Sequence, residues 1–285
     1  MYSAPGYIPK AVWWKDLAYR ILGNPNLSKR LQMPDIMKAL DLKKDETALD
    51  FGCGVGYMTY EMAKRCDDVI GLDILDVTRN IIPKEFKGKL RFIQSRGENT
   101  PLDRRSVDVV LLSEVILDIS EPSLFLKEVK RFLRPNGRIV IVNALDRQSI
   151  LDDYEKNGAL IRFARKYTRQ CPETYDEFAA MLRKSFGSSS NHYFPDVGFY
   201  KDLLWKMGFR TDNIIFSPSK SALTLIERVQ FLALCQGWKT YGASYFLLYP
   251  IAKLLDGLFP NPRGSGLIIK ASLGERFASN KGCEK

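Results

Sequence analysis

The segment LDFGCGVGYMTYEMAKR, residues 49–65, places three glycines at alternate positions shortly after an acidic residue. Glycine is favoured where the backbone turns sharply or where a ligand approaches it closely. The preceding residues, ETALDFG, predict a short β-strand, and Tyr57 to Arg65 predicts the start of a helix. A strand, a glycine-rich turn and a helix in this order predict a ligand site at the turn.

The residues around this turn limit which ligand it can hold. No Gly-Lys-Ser/Thr follows, so a P-loop is excluded, and GCGVG departs from the G-x-G-x-x-G spacing of dinucleotide sites. Asp50 would repel a pyrophosphate but suits an ammonium or sulfonium group. Asp73 ends the next predicted strand, where an acid can accept hydrogen bonds from both ribose hydroxyls. The two acids together predict S-adenosylmethionine, which has a ribose, a cationic amino-acid end and no phosphate.

The rest of the pattern predicts the fold. LRFIQ (90–94), VDVVLLS (107–113) and RIVIVN (138–143) read as strands that alternate with helices, and GFRTDNIIFSP (208–218) and GSGLIIKASL (264–273) read as two late strands. Alternating strands and helices imply right-handed crossovers and a parallel sheet. We predict an α/β, Rossmann-like, mostly parallel seven-stranded sheet with helices on both faces and a helical cap formed by inserts.

Four segments of the chain resemble the motifs of a known family. LDFGCGVGYMT, VIGLDI, SVDVVLLSEVILDI and FLKEVKRFLRPNGRIVIV are similar to the successive motifs of class I S-adenosylmethionine-dependent methyltransferases, especially the small-molecule, lipid and quinone group. The resemblance covers about residues 30–145 and, more weakly, 191–209. It implies that the glycine turn surrounds the methionine part, that Asp73 holds the ribose and that Ile74 packs near the adenine. The implied cofactor-binding residues are Asp50, Gly52, Cys53, Gly54, Gly56, Asp73, Ile74, Arg96, Gly97, Glu98, Ser113 and Glu114.

The sequence departs from the family pattern in two places. After the third strand the family usually has Gly-Asp-Ala, whereas here Arg96 stands at the acidic position and Gly97 at the alanine position. Glu98 is then the candidate that replaces the missing acceptor for the adenine amino group. The family often ends its fourth-strand motif with Glu-His, and here Asp118 stands at the histidine position.

The pattern of predicted elements along the chain also gives a domain organisation. We expect one methyltransferase domain over residues 1–285, with an S-adenosylmethionine-binding core at 30–146. A helical cap insert is expected at 147–197, and an apolar helical insert at 219–260 between the last two strands. Ligands bind at the carboxyl edge of the strands in open α/β sheets, so the inserts are expected to cover that edge.

The catalytic candidates are few, because aligning the acceptor with an activated methyl group supplies most of the catalysis. A base is needed only if the acceptor must lose a proton. His192 is the single histidine of the chain and titrates near neutrality, so it is either a base or a packed loop residue. Asp118 is the second candidate base, while Glu114 is expected to orient the cofactor.

Two features favour an amphiphilic or anionic acceptor. Arg162, Arg165 and Lys166 share one face of a predicted helix, which is either solvated or meets an anion. With Tyr193 they are the predicted acceptor-binding residues. Residues 241–259, YGASYFLLYPIAKLLDGLF, are apolar and aromatic-rich but too interrupted and charged to span a bilayer. They fit a pocket cover, a peripheral membrane contact, a buried helix pair or a dimer contact.

The N-terminal sequence, the cysteines and the net charge limit the remaining classes of function. The N-terminus lacks the pattern of a secretory signal and the five cysteines show no metal-ligand spacing, so a cytoplasmic protein with free thiols and no metal site is expected. The net charge of +10 keeps an RNA methyltransferase as the alternative to a small-molecule or lipid enzyme acting, as we expect, at oxygen. However, SEVI follows the fourth strand where nucleic-acid enzymes carry Pro-Pro-aromatic or cysteine motifs. A non-catalytic cofactor- or partner-binding module is the alternative from another class. The sequence does not specify the oligomeric state.

Overall fold

The computed structural model describes residues 27–54, 56–74, 82, 84–95, 100–144, 153–178, 180, 195–260, 264 and 266–274. The strands are β1 (Thr47–Phe51), β2 (Asp68–Asp73), β3 (Leu90–Gln94), β4 (Val107–Ser113), β5 (Leu133–Ala144), β6 (Phe209–Phe216) and β7 (Gly266–Leu273). The helices are α1 (Leu27–Leu40), α2 (Tyr57–Ala63), α3 (Pro122–Phe132), α4 (Ala159–Tyr167), α5 (Val197–Lys206), α6 (Lys220–Gln236) and α7 (Trp238–Leu258).

The strands form one seven-stranded sheet in the order β3-β2-β1-β4-β5-β7-β6. β1 to β5 pair in parallel, and β7 runs antiparallel to both β5 and β6. The predicted mostly parallel sheet is therefore confirmed. Because the order reverses between β1 and β4, the carboxyl ends of these two strands flank the crevice where such sheets bind ligands.

Helices cover both faces of the sheet because the central strands are apolar on both sides. In β4, Val110 and Leu112 pack in the same cluster as α3 and α5, whereas Val109 and Leu111 pack with α1 and α2. All four side chains are fully buried. The continuous apolar run VDVVLLS thus positions β4 as a central strand with its carboxyl end directed at the crevice.

Arg138 fixes the end of α1 to the amino edge of the sheet. Its guanidinium donates to the carbonyl oxygens of Leu40 and Asp41 at 2.6 Å each, and to both carboxylate oxygens of Glu46 at 2.7 and 2.8 Å. These bonds satisfy carbonyls that the helix end leaves without intrahelical partners. The opposite end of α1, which begins at Leu27, therefore lies toward the carboxyl edge.

The segment RPNG, residues 134–137, lies inside β5 as the structure assigns it. Leu133 pairs with Val107 and Arg138 pairs with Val109, so the residues between them leave the regular ladder. Asn136 has a φ of 64°, a left-handed conformation that asparagine adopts more readily than most residues. The regular part of the strand begins at Arg138, where the sequence predicts it.

The segment between β6 and β7 consists of α6 and α7, which pack along each other and against α1. Their shared cluster joins Leu27 and Leu31 of α1 to Ala222 and Ile226 of α6 and to α7. The helix α4 packs against the other end of α6. No helix in the described ranges is long and apolar enough to cross a membrane.

Candidate cofactor site at the glycine turn

The glycine turn joins β1 to α2 and folds back on the end of β2. The amides of Gly52 and Cys53 both donate to the carbonyl oxygen of Leu72, at 2.7 and 3.0 Å. Gly52, Gly54 and Gly56 have φ values of 74°, 51° and 84°. Residues other than glycine rarely adopt this left-handed backbone conformation. The path of the backbone therefore requires the alternating glycines.

The three glycines differ in what surrounds them. A Cβ at Gly52 would lie 2.4 Å from a methyl group of Val115, and one at Gly56 would lie 2.8 Å from the ring of Phe92. A Cβ at Gly54 would meet no atom of the described residues within 4 Å. Gly52 and Gly56 are therefore needed for packing within the protein, whereas Gly54 borders open space that a ligand can fill.

Asp73 connects this open side of the turn to the end of β2. Its Oδ2 accepts a hydrogen bond of 2.8 Å from the backbone amide of Gly54. The residue is 8% exposed, and the next residue, Ile74, is 53% exposed. A carboxylate has several acceptor positions on its two oxygens, so Asp73 can hold the turn and bind hydroxyl groups at the same time.

Asp50 is more deeply buried than the sequence suggests. It is 1% exposed, and its Oδ2 accepts a 2.6 Å hydrogen bond from the hydroxyl of Thr59 on α2. Burial is the largest cause and, with the nearby charge of Asp73, raises the pKa of Asp50 to about 7, although the Thr59 bond acts in the opposite direction. Asp50 is therefore a buried carboxyl group inside the turn, not a side chain on its surface.

Thr59 is a site residue that the sequence analysis did not single out. It is fully buried in the first turn of α2, three residues after Gly56. The sequence signal for Thr59 is a hydroxyl residue three positions after the last glycine. One helical turn brings such a side chain back over the end of β1.

Ser113 and Glu114 lie at the carboxyl end of β4, beside the same crevice. Glu114 has a φ of 59°, and its amide donates to the carbonyl oxygen of Val142 at 2.8 Å. Its Oε1 accepts a 2.8 Å hydrogen bond from the ammonium group of Lys29 on α1. Lys29 is a second residue near the crevice that was not predicted from the sequence. This bond brings the amino-terminal half of α1 to the crevice, a long-range contact that sequence spacing does not reveal.

Of the two candidate bases, the structure describes the position of Asp118 but not that of His192. Asp118 lies in the short 3-10 turn Ile116–Asp118 that follows β4, and its side chain is half-buried. His192 and Tyr193 lie outside the described residues, as do Arg96, Gly97 and Glu98. Their roles stay predictions.

The predicted basic face on α4 is exposed and is bonded to nearby loops. Arg162 donates to the carbonyl oxygen of Asn157, and Arg165 donates to that of Glu173 at 3.0 Å. The ammonium of Lys166 lies 5.1 Å from the ring centre of Tyr167. These contacts hold the loops around α4, and a role of the three residues in acceptor binding stays a prediction.

Cys53 lies within the turn as a buried thiol. Burial, together with the charges of Asp50 and Asp73, raises its pKa well above the ordinary value. A thiol held protonated is a poor nucleophile, so Cys53 fills space. Within the described ranges, no group of three or more His, Cys, Asp or Glu side chains is placed to hold a metal ion.

The residues of this turn fit S-adenosylmethionine. The open space beside Gly54 gives access to the backbone, and Asp73 stands at the strand end where a ribose binds. Asp50 and Asp73 place two carboxylates at the turn of a chain whose net charge is +10. This local negative charge favours a cationic cofactor and opposes a pyrophosphate.

Comparison with known proteins agrees with this geometry. Residues 49–141 match the family described as a methyltransferase domain. The demethylmenaquinone methyltransferase of Lactococcus lactis is 27% identical over 188 residues, which cover 61% of this chain and 72% of that protein. The ubiquinone/menaquinone biosynthesis C-methyltransferase UbiE of Campylobacter jejuni is 28% identical over 141 residues, which cover 47% of this chain and 60% of that protein. Another relative, from Lactobacillus johnsonii, is matched over 46% of its length.

Solved structures share the fold at low sequence identity. An S-adenosylmethionine-dependent methyltransferase from Mesorhizobium loti superposes with a TM-score of 0.52 at 14% identity, covering 87% of this chain and all of that one. The [4+2]-cyclase SpnF superposes with a TM-score of 0.55 at 15% identity, covering 86% of this chain and 81% of that one. The fold therefore occurs in a structure titled as a cyclase, so it does not decide the reaction by itself.

Residues 49–141 therefore form a methyltransferase domain, and the sheet that contains them has the fold of S-adenosylmethionine-dependent methyltransferases. The cofactor of this domain is S-adenosylmethionine.

Proposed function

We propose that this methyltransferase acts on a small quinone-type acceptor, an aromatic ring that carries hydroxyl groups in its reduced form. The names of the Lactococcus lactis and Campylobacter jejuni relatives support this acceptor class. The proposed position of the cofactor rests on the hydrogen bond between Asp73 and the amide of Gly54, which borders open space. When bound there, S-adenosylmethionine supplies an activated methyl group.

The proposed roles of the residues follow from their positions. Asp73 binds the ribose hydroxyls and keeps Gly54 in place, while Ile74 offers an exposed apolar surface to the adenine. Asp50 stabilises the cationic end of the cofactor from its buried position. Ser113 and Glu114, at the end of β4, border the place where cofactor and acceptor meet.

Proton removal decides how reactive the acceptor is. A hydroxylated ring that loses a proton becomes a phenolate, which carries negative charge on both its oxygen and its ring carbons. Asp118, just beyond β4, and His192 are the proposed groups that take this proton. The sequence favours transfer to oxygen, whereas the name of the Campylobacter jejuni relative favours carbon. The orientation of the bound ring would select between the two atoms.

The proposal is tested with methyl-labelled cofactor and a reduced, demethylated naphthoquinone under an inert atmosphere. We expect a labelled product one methyl group heavier, and fragmentation in the mass spectrometer separates a methoxy from a ring-methyl product. Asp73→Ala serves as the binding-deficient control. Labelling of RNA or protein from a fractionated extract, with none in the lipid and metabolite fractions, would contradict the proposed acceptor.

A further inference from the structure

The helix α7 has two faces with opposite surroundings. Leu248 and Ala252 are 4% and 0% exposed and pack in the cluster that α7 shares with α1 and α6. On the other face, Leu247, Ile251, Leu254 and Leu258 are 74%, 53%, 61% and 61% exposed. Their spacings of four, three and four residues place these side chains in one line along the helix, which we call the apolar row.

The apolar row is a concentration of exposed apolar surface, not a scatter of single residues. Of the ten large hydrophobic side chains that are exposed in the described ranges, five belong to the apolar row and to Phe259, which follows it. Single exposed leucines are common in soluble proteins, but a contiguous apolar surface marks a contact with another phase or molecule.

The charges around the apolar row are positive. Lys253 is exposed on α7 itself, and Lys220 is exposed at the start of α6. The acidic residue of this helix end, Asp256, faces α6, where its Oδ1 accepts a 2.5 Å bond from the amide of Ser219. That bond also brings Lys220, the residue after Ser219, beside the last turns of α7.

We propose that the apolar row is a docking surface for a lipid bilayer that contains anionic headgroups. In this arrangement α7 lies along the membrane surface, with the row inserted at the boundary of headgroups and acyl chains. The long side chains of Lys253 and Lys220 reach from the flanks to the headgroups. The buried face of α7 stays packed on α1 and α6, so docking requires no unfolding of the insert.

Charge favours this occupant over a second copy of the chain. A symmetric dimer through the apolar row would bring the same basic flanks of two chains, each with a net charge of +10, toward one another. An anionic membrane instead gains attraction from each of these lysines. Docking is a property of the surface of α7 and does not depend on which acceptor the enzyme methylates.

The experiment measures flotation of the full chain with two kinds of vesicle. One is phosphatidylcholine alone, and the other is phosphatidylcholine with about one third phosphatidylglycerol. We expect the wild type to float with the anionic vesicles and Leu254→Glu to lose at least about tenfold in partitioning. Leu124→Glu is the matched control, because Leu124 is 58% exposed on α3, which packs on the other face of the sheet.

Folding and oligomeric state are measured on the same samples. Both variants should keep the wild-type circular dichroism spectrum and the same affinity for the demethylated cofactor. Light scattering should give a monomer for wild type and variant alike. Equal flotation of wild type and Leu254→Glu would overturn the proposal, as would a wild-type dimer that Leu254→Glu dissociates and that does not float. Because no step needs an acceptor, an error in the proposed reaction would leave these results unchanged.

Discussion

Asp50 provides a quantitative test of the glycine turn, because its carboxyl group is buried next to a second carboxylate. Its pKa of about 7 in the folded protein compares with an ordinary value of 3.8. Between these two values the folded chain holds a proton on Asp50 that the unfolded chain has released. Since the folded state binds more protons, the free energy of unfolding falls as pH rises through this window.

The size of this effect follows from the difference in pKa. About three pKa units at 1.36 kcal/mol per unit give about 4 kcal/mol, fully present below pH 4 and lost by about pH 8. Asp50→Asn mimics the protonated carboxyl, and its amide oxygen can still accept the bond from Thr59. The stability advantage of the variant over the wild type should therefore grow as pH rises from 5 to 8 and disappear below pH 4.

Cofactor binding should depend on pH in the opposite sense. A sulfonium or ammonium group near Asp50 favours the ionised form, so the wild type should bind S-adenosylmethionine more tightly as pH rises from 6 to 8. Binding near pH 7 should release a fraction of a proton, which calorimetry in buffers of different ionisation enthalpy detects. In Asp50→Asn both the pH dependence and this proton release should disappear.

Two variants of the hydrogen-bond partner complete the test. Thr59→Val removes the hydroxyl that stabilises the carboxylate and should move the pH dependence upward, whereas Thr59→Ser keeps the hydroxyl and serves as the matched control. The unfolding measurements use denaturant titration of the cofactor-free protein at each pH. Parallel stability profiles of the wild type and Asp50→Asn between pH 5 and 8 would refute the reasoning, because another group would then carry the titration.

Three further predictions concern the same site. Asp73→Ala should weaken binding of the demethylated cofactor by about 1.5–3 kcal/mol in calorimetric titration, and Asp73→Asn, which keeps an acceptor for the Gly54 amide, by less; equal affinities in all three proteins would remove Asp73 from the site. Gly54→Val should abolish cofactor binding, since its side chain would enter the ligand space, and it should also lower the melting temperature because the φ of Gly54 is 51°. Gly52→Val should lower the melting temperature further, since its side chain would also collide with Val115. Tight cofactor binding by folded Gly54→Val would mean that the open space is not the cofactor site. His192→Ala should lower kcat and leave cofactor affinity intact if this residue takes the acceptor's proton, and an unchanged kcat across the pH range would leave that role to Asp118.

The fold was predictable because its signals are local and repeated. The apolar run of β4 and the acids that end β1 and β2 occupy short segments, and alternating strands and helices leave few possible topologies. The glycine turn itself was predictable for the same reason, since its three glycines lie within five consecutive residues. Sequence alone did not reveal that Asp50 is covered by Thr59, because packing of α2 over the end of β1 produces that burial. The bond from Lys29 to Glu114 joins residues 85 positions apart, and no local pattern indicates it.

The helix α1 relates the proposed membrane surface to the cofactor crevice. On one side Leu27 and Leu31 are buried in the cluster that contains the packed face of α7. On the opposite side Lys29 donates to Glu114, directly after β4. The helix α1 thus links α7 to the carboxyl edge of the sheet. If α7 rests on a bilayer, this edge is therefore held close to the membrane, where an apolar acceptor dissolved in the lipid would be most concentrated. In that arrangement the surface of α7 would give access to an acceptor in the membrane. The acidic glycine turn would bind the cationic methyl donor for the same reaction.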